Sequence, residues 1–187
     1  MLLAAAMFCL PVHGDDAGEL TLEALMQTLA RVEARSARFV ERKHVALLRE
    51  PIVYRGTLSY EAPDYLAKRF DSGEVESYEV RGDRLRIRSP DGTWRDVALE
   101  TQPLLSAFID AFRATLAGDR ARLEASYRAE VDGSAKDWHL TLVPRLPALA
   151  EHLESVIIEG TGAIIHTVEV REANGDSSVM TLERADA

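Results

Sequence analysis

The chain has 187 residues, of which 47% are hydrophobic and 28% are charged, a composition that is ordinary for a globular protein of one domain. Its formal charge of −9 argues against a nucleic-acid partner and against electrostatic adhesion to anionic membranes, because both need clustered lysine and arginine. The single cysteine, Cys9, excludes a zinc site built from several thiolates.

The N-terminal segment has the pattern of a secretory leader. Residues 1–12 form a short apolar run, and acidic residues follow Gly14. The run is too short to cross a bilayer as a helix. We therefore predict a cleaved signal peptide at residues 1–14 and a single exported domain at residues 15–187. The alternative is a buried helical turn at the N-terminus.

An amphipathic helix is predicted at residues 20–37. Leu22, Leu25 and Leu29 fall three and four residues apart, the spacing that places side chains on one helical face. Thr21 is a suitable N-cap for this helix. Beyond the helix, apolar and polar residues alternate, which is typical of β-strands. Six short strands separated by turn residues are predicted at residues 38–48, 52–61, 65–71, 74–81, 84–89 and 93–99.

A second helix is predicted at residues 102–117. Phe108 and Phe112 belong to its apolar stripe, and Gly118 is suited to end it. Two shorter helices are predicted at residues 119–125 and 145–153. Five further strands are predicted at residues 126–132, 136–143, 154–159, 164–172 and 177–184.

These elements predict a mainly β fold of the α+β class. Nearly all strands are joined by short turns, so we expect one curved antiparallel sheet of about eleven strands. Only two substantial helices are available to cover its apolar face, and incomplete or movable cover would leave a hydrophobic pocket for a lipid or an acyl chain. The predicted lining residues are Leu58, Tyr60, Leu66, Phe70, Tyr78, Leu85, Ile87, Trp94, Phe108, Phe112, Trp138, Leu140 and Leu142. Charge runs such as Glu41-Arg42-Lys43 are predicted to lie on the solvated face.

The sequence has no recognisable constellation of catalytic residues. The histidines His44, His139, His152 and His166 sit on separate predicted elements, without the spacing of metal ligands. There is no glycine-rich phosphate loop, and no nucleophile-elbow pattern surrounds any serine. We predict a protein with no catalytic residues, no metal and no cofactor. A lipid hydrolase is the alternative, because the members of a catalytic triad need not be adjacent in sequence.

The order of the elements, together with several short motifs, resembles the LolA family of periplasmic lipoprotein carriers. The resemblance covers essentially the chain after the leader. Its motifs include a Gly-x-Leu strand, a proline-containing loop, a turn before the next strand and a strand that ends in proline. In this sequence the residues that carry it are Phe39, Gly56-Thr57-Leu58-Ser59-Tyr60, Pro63-Asp64-Tyr65-Leu66, Gly82-Asp83-Arg84-Leu85, Trp94, Gly118-Asp119 and Trp138-His139-Leu140-Thr141-Leu142-Val143-Pro144.

The resemblance implies an unclosed β-barrel capped by helices, with the acyl chains of a cargo between the sheet and the helical lid. It also implies a periplasmic monomer that takes an acylated lipoprotein or a lipid from an inner-membrane donor and passes it to an outer-membrane acceptor. The same fold used as a periplasmic sensor or an assembly scaffold is the alternative.

One departure from the family pattern concerns the lid. In the lipoprotein carriers an arginine precedes the proline of the loop and helps to hold the lid closed, whereas Ala62 precedes Pro63 here. The chain is therefore more similar to divergent LolA-related proteins that accompany gene clusters for acyl or aryl-polyene membrane lipids. The expected cargo is either a lipoprotein or another lipid.

Overall fold

The computed structural model of the protein describes residues 20–101 and 103–184. Within these residues the chain forms one antiparallel sheet of eleven strands and four α-helices. The predicted mainly β fold with an open antiparallel sheet is confirmed. None of the helices in this part of the chain is long and apolar enough to cross a membrane. The predicted signal peptide at residues 1–14 lies outside the described residues.

The first half of the sheet is a meander that follows helix α1 (Leu22–Leu29). Its strands, joined by short turns, are β1 (Ala34–His44), β2 (Ile52–Glu61), β3 (Tyr65–Phe70), β4 (Ser77–Arg81), β5 (Arg84–Arg88) and β6 (Trp94–Ala98). The registers place Phe39, Leu58 and Leu66 on one face, which we call the inner face because the helices cover it.

The second half begins with the helices that cover the inner face. A 3-10 turn (Leu99–Thr101) leads from β6 into α2 (Pro103–Ala117), and α3 (Arg120–Ser126) follows directly. The remaining elements are β7 (Tyr127–Ser134), β8 (Asp137–Pro144), the short helix α4 (Pro147–Ala150), β9 (Leu153–Thr161), β10 (Ile164–Glu172) and β11 (Ser177–Arg184).

The first and last strands of the chain pair at the centre of the sheet. The strand order is β6-β5-β4-β3-β2-β1-β11-β10-β9-β8-β7, and β1 pairs with β11 from Ala37↔Arg184 to His44↔Ser177. The two meanders therefore extend in opposite directions from this central pair. The edge strands β6 and β7 do not pair with each other, so the barrel stays unclosed, and α2 and α3 connect the two edges.

The first helix is shorter than its periodicity predicts. The prediction of a helix over residues 20–37 is wrong in its second half, because α1 ends at Leu29 and β1 begins at Ala34. The first four residues of β1 pair with the end of β2. These residues favour a helix locally, but pairing with a strand that is distant in sequence decides their conformation.

The inner face of the second meander is filled by packed side chains. Trp138 on β8 and Tyr127 on β7 are fully buried in one cluster with Leu25 of α1. Trp138 donates a hydrogen bond from Nε1 to the carbonyl oxygen of Gly162 (2.9 Å), and its ring lies against Gly160, where any side chain would clash with it. This half of the sheet is therefore a conventional close-packed core.

The three helices α1, α2 and α3 pack against one another. Gly118 joins α2 to α3 with φ +65°, and a side chain there would clash with the carbonyl oxygen of Met26 and with Ala30 at the end of α1. Arg122 of α3 pairs with Asp110 of α2, with Nη2 and Oδ1 2.6 Å apart. The helices therefore form one layer, in which α2 lies over the centre of the sheet.

Candidate functional site

A cavity of about 270 Å³ lies between α2 and the centre of the sheet and is partly open to solvent. Ile109 and Phe112 of α2 form its roof. Its walls come from strands of both meanders, since β1–β4 contribute on one side and β10 and β11 on the other. The uncharged wall residues are Leu58, Leu66, Tyr78, Val80, Val168, Val170, Ser178 and Met180. The cavity is therefore mainly apolar, as pockets for small ligands usually are.

Four charged side chains form what we call the polar band along one side of the cavity. They are Glu41 and Lys43 on β1, Lys68 on β3 and Glu172 on β10. The Lys68 Nζ lies 2.7 Å from the Glu41 Oε2, and the Lys43 Nζ lies 3.1 Å from the Glu172 Oε1. The first pair is the more enclosed, with side chains 26% and 13% exposed, while those of the second pair are about one-third exposed. The polar band thus leads from the interior towards solvent.

The enclosed end of the polar band rests on aromatic rings. The Lys68 Nζ is 5.2 Å from the ring centroids of both Phe39 and Phe70. The Phe70 ring in turn meets Phe39 and Tyr54 edge to face, with centroids 5.6 Å apart in each pair. The negative faces of aromatic rings attract an ammonium, so Lys68 is held by two rings as well as by its carboxylate partner.

A second void of about 40 Å³ lies beside the cavity. Leu58 and Phe112 line both spaces, whereas Tyr60 and Leu116 are among the residues that line only the second void. The Tyr60 hydroxyl is buried, and no described residue gives it a hydrogen-bond partner. Burial raises the pKa of Tyr60 above its ordinary value, and the positive charge of Arg113 acts in the opposite direction.

Arg113 fastens α2 to the first meander. The residue is only 5% exposed, and its Nη1 donates a hydrogen bond to the carbonyl oxygen of Gly82 (2.8 Å) in the turn between β4 and β5. Its Nη2 lies 4.0 Å from the Oδ2 of Asp64, in the loop between β2 and β3. Its Nε has no hydrogen-bond partner among the described residues. Thus the arginine that joins helix and sheet in this chain lies on the helix. The loop position before Pro63, where the lipoprotein carriers have an arginine, is occupied by Ala62.

Five of the residues predicted to line a pocket are brought together around these two spaces. Leu58, Leu66, Tyr78 and Phe112 line the cavity, and Tyr60 lines the smaller void. The hydroxyl of Tyr78 lies 3.4 Å from the Oε2 of Glu76. Burial raises the pKa of Tyr78 above its ordinary value, and the negative charge of Glu76 raises it further. Phe70 lies beside the cavity, under Lys68.

Several predicted lining residues lie in the core instead. Leu85 and Ile87 belong to a separate buried cluster that Ile109 completes near the β6 edge. A larger group is fully buried under the helices in the second meander, comprising Trp138, Leu140 and Leu142. These side chains support the walls of the cavity but do not face it.

Two of the predicted aromatics are outside this interior. Trp94 lies on the outer face of the sheet, opposite Arg88 in the β5–β6 register, and is 37% exposed. The guanidinium carbon of Arg86 lies 4.6 Å from its ring centroid. The side chain of Phe108 lies outside those that the structure describes.

The charged residues of the cavity are absent from the predicted lining. Glu41 and Lys43 were expected on the solvated face, and this prediction is wrong because both alternate in phase with Phe39 on β1 and therefore share the inner face. That alternation is visible in the sequence and could have located them. The other lining residues that were not predicted are Lys68, Val80, Ile109, Val168, Val170, Glu172, Ser178 and Met180.

The family of the chain is shown by its sequence. The sequence model of a family described as outer membrane lipoprotein carrier protein, LolA-like, matches residues 16–187. The chain belongs to this LolA-like family. The resemblance inferred from the short motifs is thereby confirmed, over nearly the whole sequence. No curated protein matches the chain by sequence.

Solved structures similar to this one include those of three bacterial proteins. A LolA superfamily protein from Nitrosomonas europaea is 10% identical, with a TM-score of 0.42 over 90% of this chain and 95% of that one. A DUF1329 family protein from Desulfovibrio piger is 11% identical, with a TM-score of 0.49 over 87% and 90%. A candidate outer membrane lipoprotein-sorting domain from Vibrio parahaemolyticus is 10% identical, with a TM-score of 0.46 over 86% and 88%. The family assignment does not depend on these distant similarities.

The chemical capacity of the site is that of a binding site with two parts. Apolar walls can exclude water from a hydrocarbon chain, and the polar band can form hydrogen bonds and ion pairs. Within the described ranges, no three side chains of His, Cys, Asp or Glu are grouped so that they could hold a metal ion.

Proposed function

We propose that the protein is a periplasmic carrier that holds an acyl chain of a lipid or an acylated protein in the cavity under α2. The observation that carries this proposal is an apolar cavity, roofed by one helix, in a chain of the LolA-like carrier family. Binding needs no reaction at the site, so the apolar residues act only by presenting surface to the chain.

The size of the cavity sets what it holds in this arrangement. If a methylene takes up about the ~30 Å³ of a water molecule, roughly nine methylenes fill it. Their burial contributes about 7 kcal/mol at ~0.8 kcal/mol each. This gain lies within the range of the cost of association, which is about 4–15 kcal/mol. One short chain therefore binds weakly and reversibly. A longer chain extends beyond the open side of the cavity, and a second chain requires α2 to move away from the sheet.

The family and the predicted leader support a route for the cargo. Export through the predicted leader would place the protein between two membranes, with a donor in the inner membrane and an acceptor in the outer membrane. A carrier that shields hydrocarbon from water is needed there, because an acyl chain exposed to water loses about 0.8 kcal/mol per methylene.

Native mass spectrometry of protein purified from its own host tests the proposal directly. We expect bound species whose masses correspond to acylated molecules and which organic extraction removes. Protein that is consistently free of such species, and that also fails to bind a fluorescent fatty acid, would contradict the proposal.

A pair of matched variants locates the binding. Val170→Trp places a large ring in the cavity, whereas Val53→Trp adds the same ring on the exposed outer face of β2. We expect the first variant to bind a fluorescent fatty acid at least about tenfold more weakly and the second to bind it like the wild type. Thermal unfolding of both variants checks that they are folded. Equal binding by both would place the chain somewhere other than this cavity.

A further inference from the structure

The polar band is unusual because its charges lie on the covered face of the sheet. A sheet with one solvated face normally keeps its charged side chains there, since burying a charge costs free energy unless it is paired. Here Glu41, Lys43, Lys68 and Glu172 all lie on the wall of an apolar cavity. Apolar side chains at these four positions would bind an acyl chain equally well. The charges of the polar band therefore indicate a ligand that also has a polar part.

The charges of the polar band alternate and cancel. Across the sheet from β3 to β10 the order is Lys68, Glu41, Lys43 and Glu172, which gives two ammonium groups and two carboxylates. An anionic group that approaches either lysine meets a carboxylate beside it, and the whole chain adds a net charge of −9. A purely anionic head group is therefore disfavoured at this site.

The two ion pairs can open without leaving a charge unpaired. Lys68 keeps the faces of Phe39 and Phe70 when its carboxylate partner turns to a ligand. The pair of Lys43 and Glu172 is about one-third exposed, so water can replace either partner. A ligand with one phosphate and one ammonium would replace each broken pair with a new pair of the same kind.

We propose that the polar band binds the head group of a zwitterionic amphiphile, one that carries a phosphate and an ammonium, while its hydrocarbon chain occupies the adjoining cavity. The phosphate lies between the two lysines, and the ammonium is bound by Glu41 or Glu172. This inference rests on the proposed function, because the hydrocarbon part uses the same cavity.

Three single-chain lipids of equal chain length distinguish the head groups. Titration calorimetry compares lysophosphatidylethanolamine, which is zwitterionic, with lysophosphatidylglycerol, which is anionic, and with monoacylglycerol, which is uncharged. We expect the zwitterionic lipid to bind about five- to tenfold more tightly than either of the others, because partly exposed ion pairs contribute modestly.

A double variant reverses the preference if the polar band selects the head group. Glu41→Gln with Glu172→Gln leaves both lysines and gives the polar band a charge of +2, so we expect the anionic lipid to become the tightest ligand. Glu130→Gln with Glu183→Gln is the matched control, because it changes the net charge equally on the outer face of β7 and β11, and it should keep the preference of the wild type.

The outcomes separate this inference from the proposed function. Equal binding of all three lipids by the wild type would overturn the head-group site while supporting the carrier cavity. Tighter binding of the anionic lipid by the wild type would overturn the assignment of a zwitterion. Failure of all three lipids to bind would overturn the head-group site and the carrier proposal alike.

Discussion

Two buried polar groups sit close to the cavity and have unused hydrogen-bonding capacity. They are the hydroxyl of Tyr60 and the Nε of Arg113, for which no described residue supplies a partner. Leaving a buried polar atom unpaired costs about 1–3 kcal/mol, so such atoms are uncommon in folded proteins. Arg113 belongs to α2 and Tyr60 to β2, so the contact between the roof helix and the sheet leaves two polar atoms without partners among the described residues.

The Tyr60→Phe variant tests this unpaired state. Removing a hydroxyl that has no partner removes its desolvation cost and leaves the ring in place, so we expect the free energy of unfolding to stay the same or to rise by up to about 1 kcal/mol. Urea unfolding of both proteins gives the difference. A loss of more than about 1 kcal/mol would mean that the hydroxyl is hydrogen-bonded in the folded protein.

Individual cavity residues could be predicted where the periodicity of one strand or helix alone decides their place, as for Phe112 on α2. Leu58, Leu66 and Tyr78 follow from alternation and line the cavity. Trp138 has the same inward phase but lies in the packed core, because the position of the helices over the sheet separates cavity from core. Lys68 also has the inward phase and lines the cavity, but it was not predicted there, because lysine is seldom found in the interior of a protein.

At the scale of elements, α2 is both the roof of the cavity and the bridge between the two edges of the sheet. The 3-10 turn holds its beginning to β6, and Gly118 packs its end against α1. Arg113 fixes its middle to the first meander through the carbonyl oxygen of Gly82. Any movement of α2 away from the sheet therefore requires this arginine to leave its site.

The Arg113→Met variant is expected to loosen α2. It removes the hydrogen bond to Gly82 and the approach to Asp64, while keeping a side chain of similar length. We expect amide hydrogen exchange in α2 to become faster by about five- to a hundredfold, corresponding to a local loss of about 1–3 kcal/mol, and a bound fatty acid to dissociate faster.

Arg88→Met is the control for this variant. Arg88 is exposed on the outer face of β5, the face opposite to α2, so its loss should leave hydrogen exchange in α2 unchanged. Equal protection of α2 in the wild type and in Arg113→Met would show that Arg113 does not hold the helix.

The type and order of the elements could be predicted from the sequence more accurately than their boundaries. Turn residues and alternation predicted all eleven strands, and an apolar stripe followed by Gly118 predicted the position of α2. The fourth strand starts at Ser77 rather than at residue 74, and α1 stops well before residue 37. The boundaries of such elements depend on contacts with distant parts of the chain, and local propensity carries no information about these contacts.

At the scale of the whole molecule, the cavity lies where the two meanders meet. β1 and β11 form the central pair, and β10 and β2 flank it, so both halves of the chain contribute walls. The antiparallel class followed from the short turns, but the pairing of β1 with β11 has no local signal, because it joins residues more than 130 positions apart. The unclosed barrel was implied only by the family resemblance.

The central position of β11 has a consequence for how the protein is made. A chain that emerges with its N-terminus first exposes β1 as an edge strand until β11 has been made, and β10 stays an edge as well. Until then there are two separate meanders and no cavity between them. We expect a chain that lacks residues 177–187 to aggregate or to be degraded, as judged by gel filtration and proteolysis, and a monomer with a cooperative thermal transition would contradict this. The cavity can therefore enclose a ligand only after β11 has been made and has paired with β1.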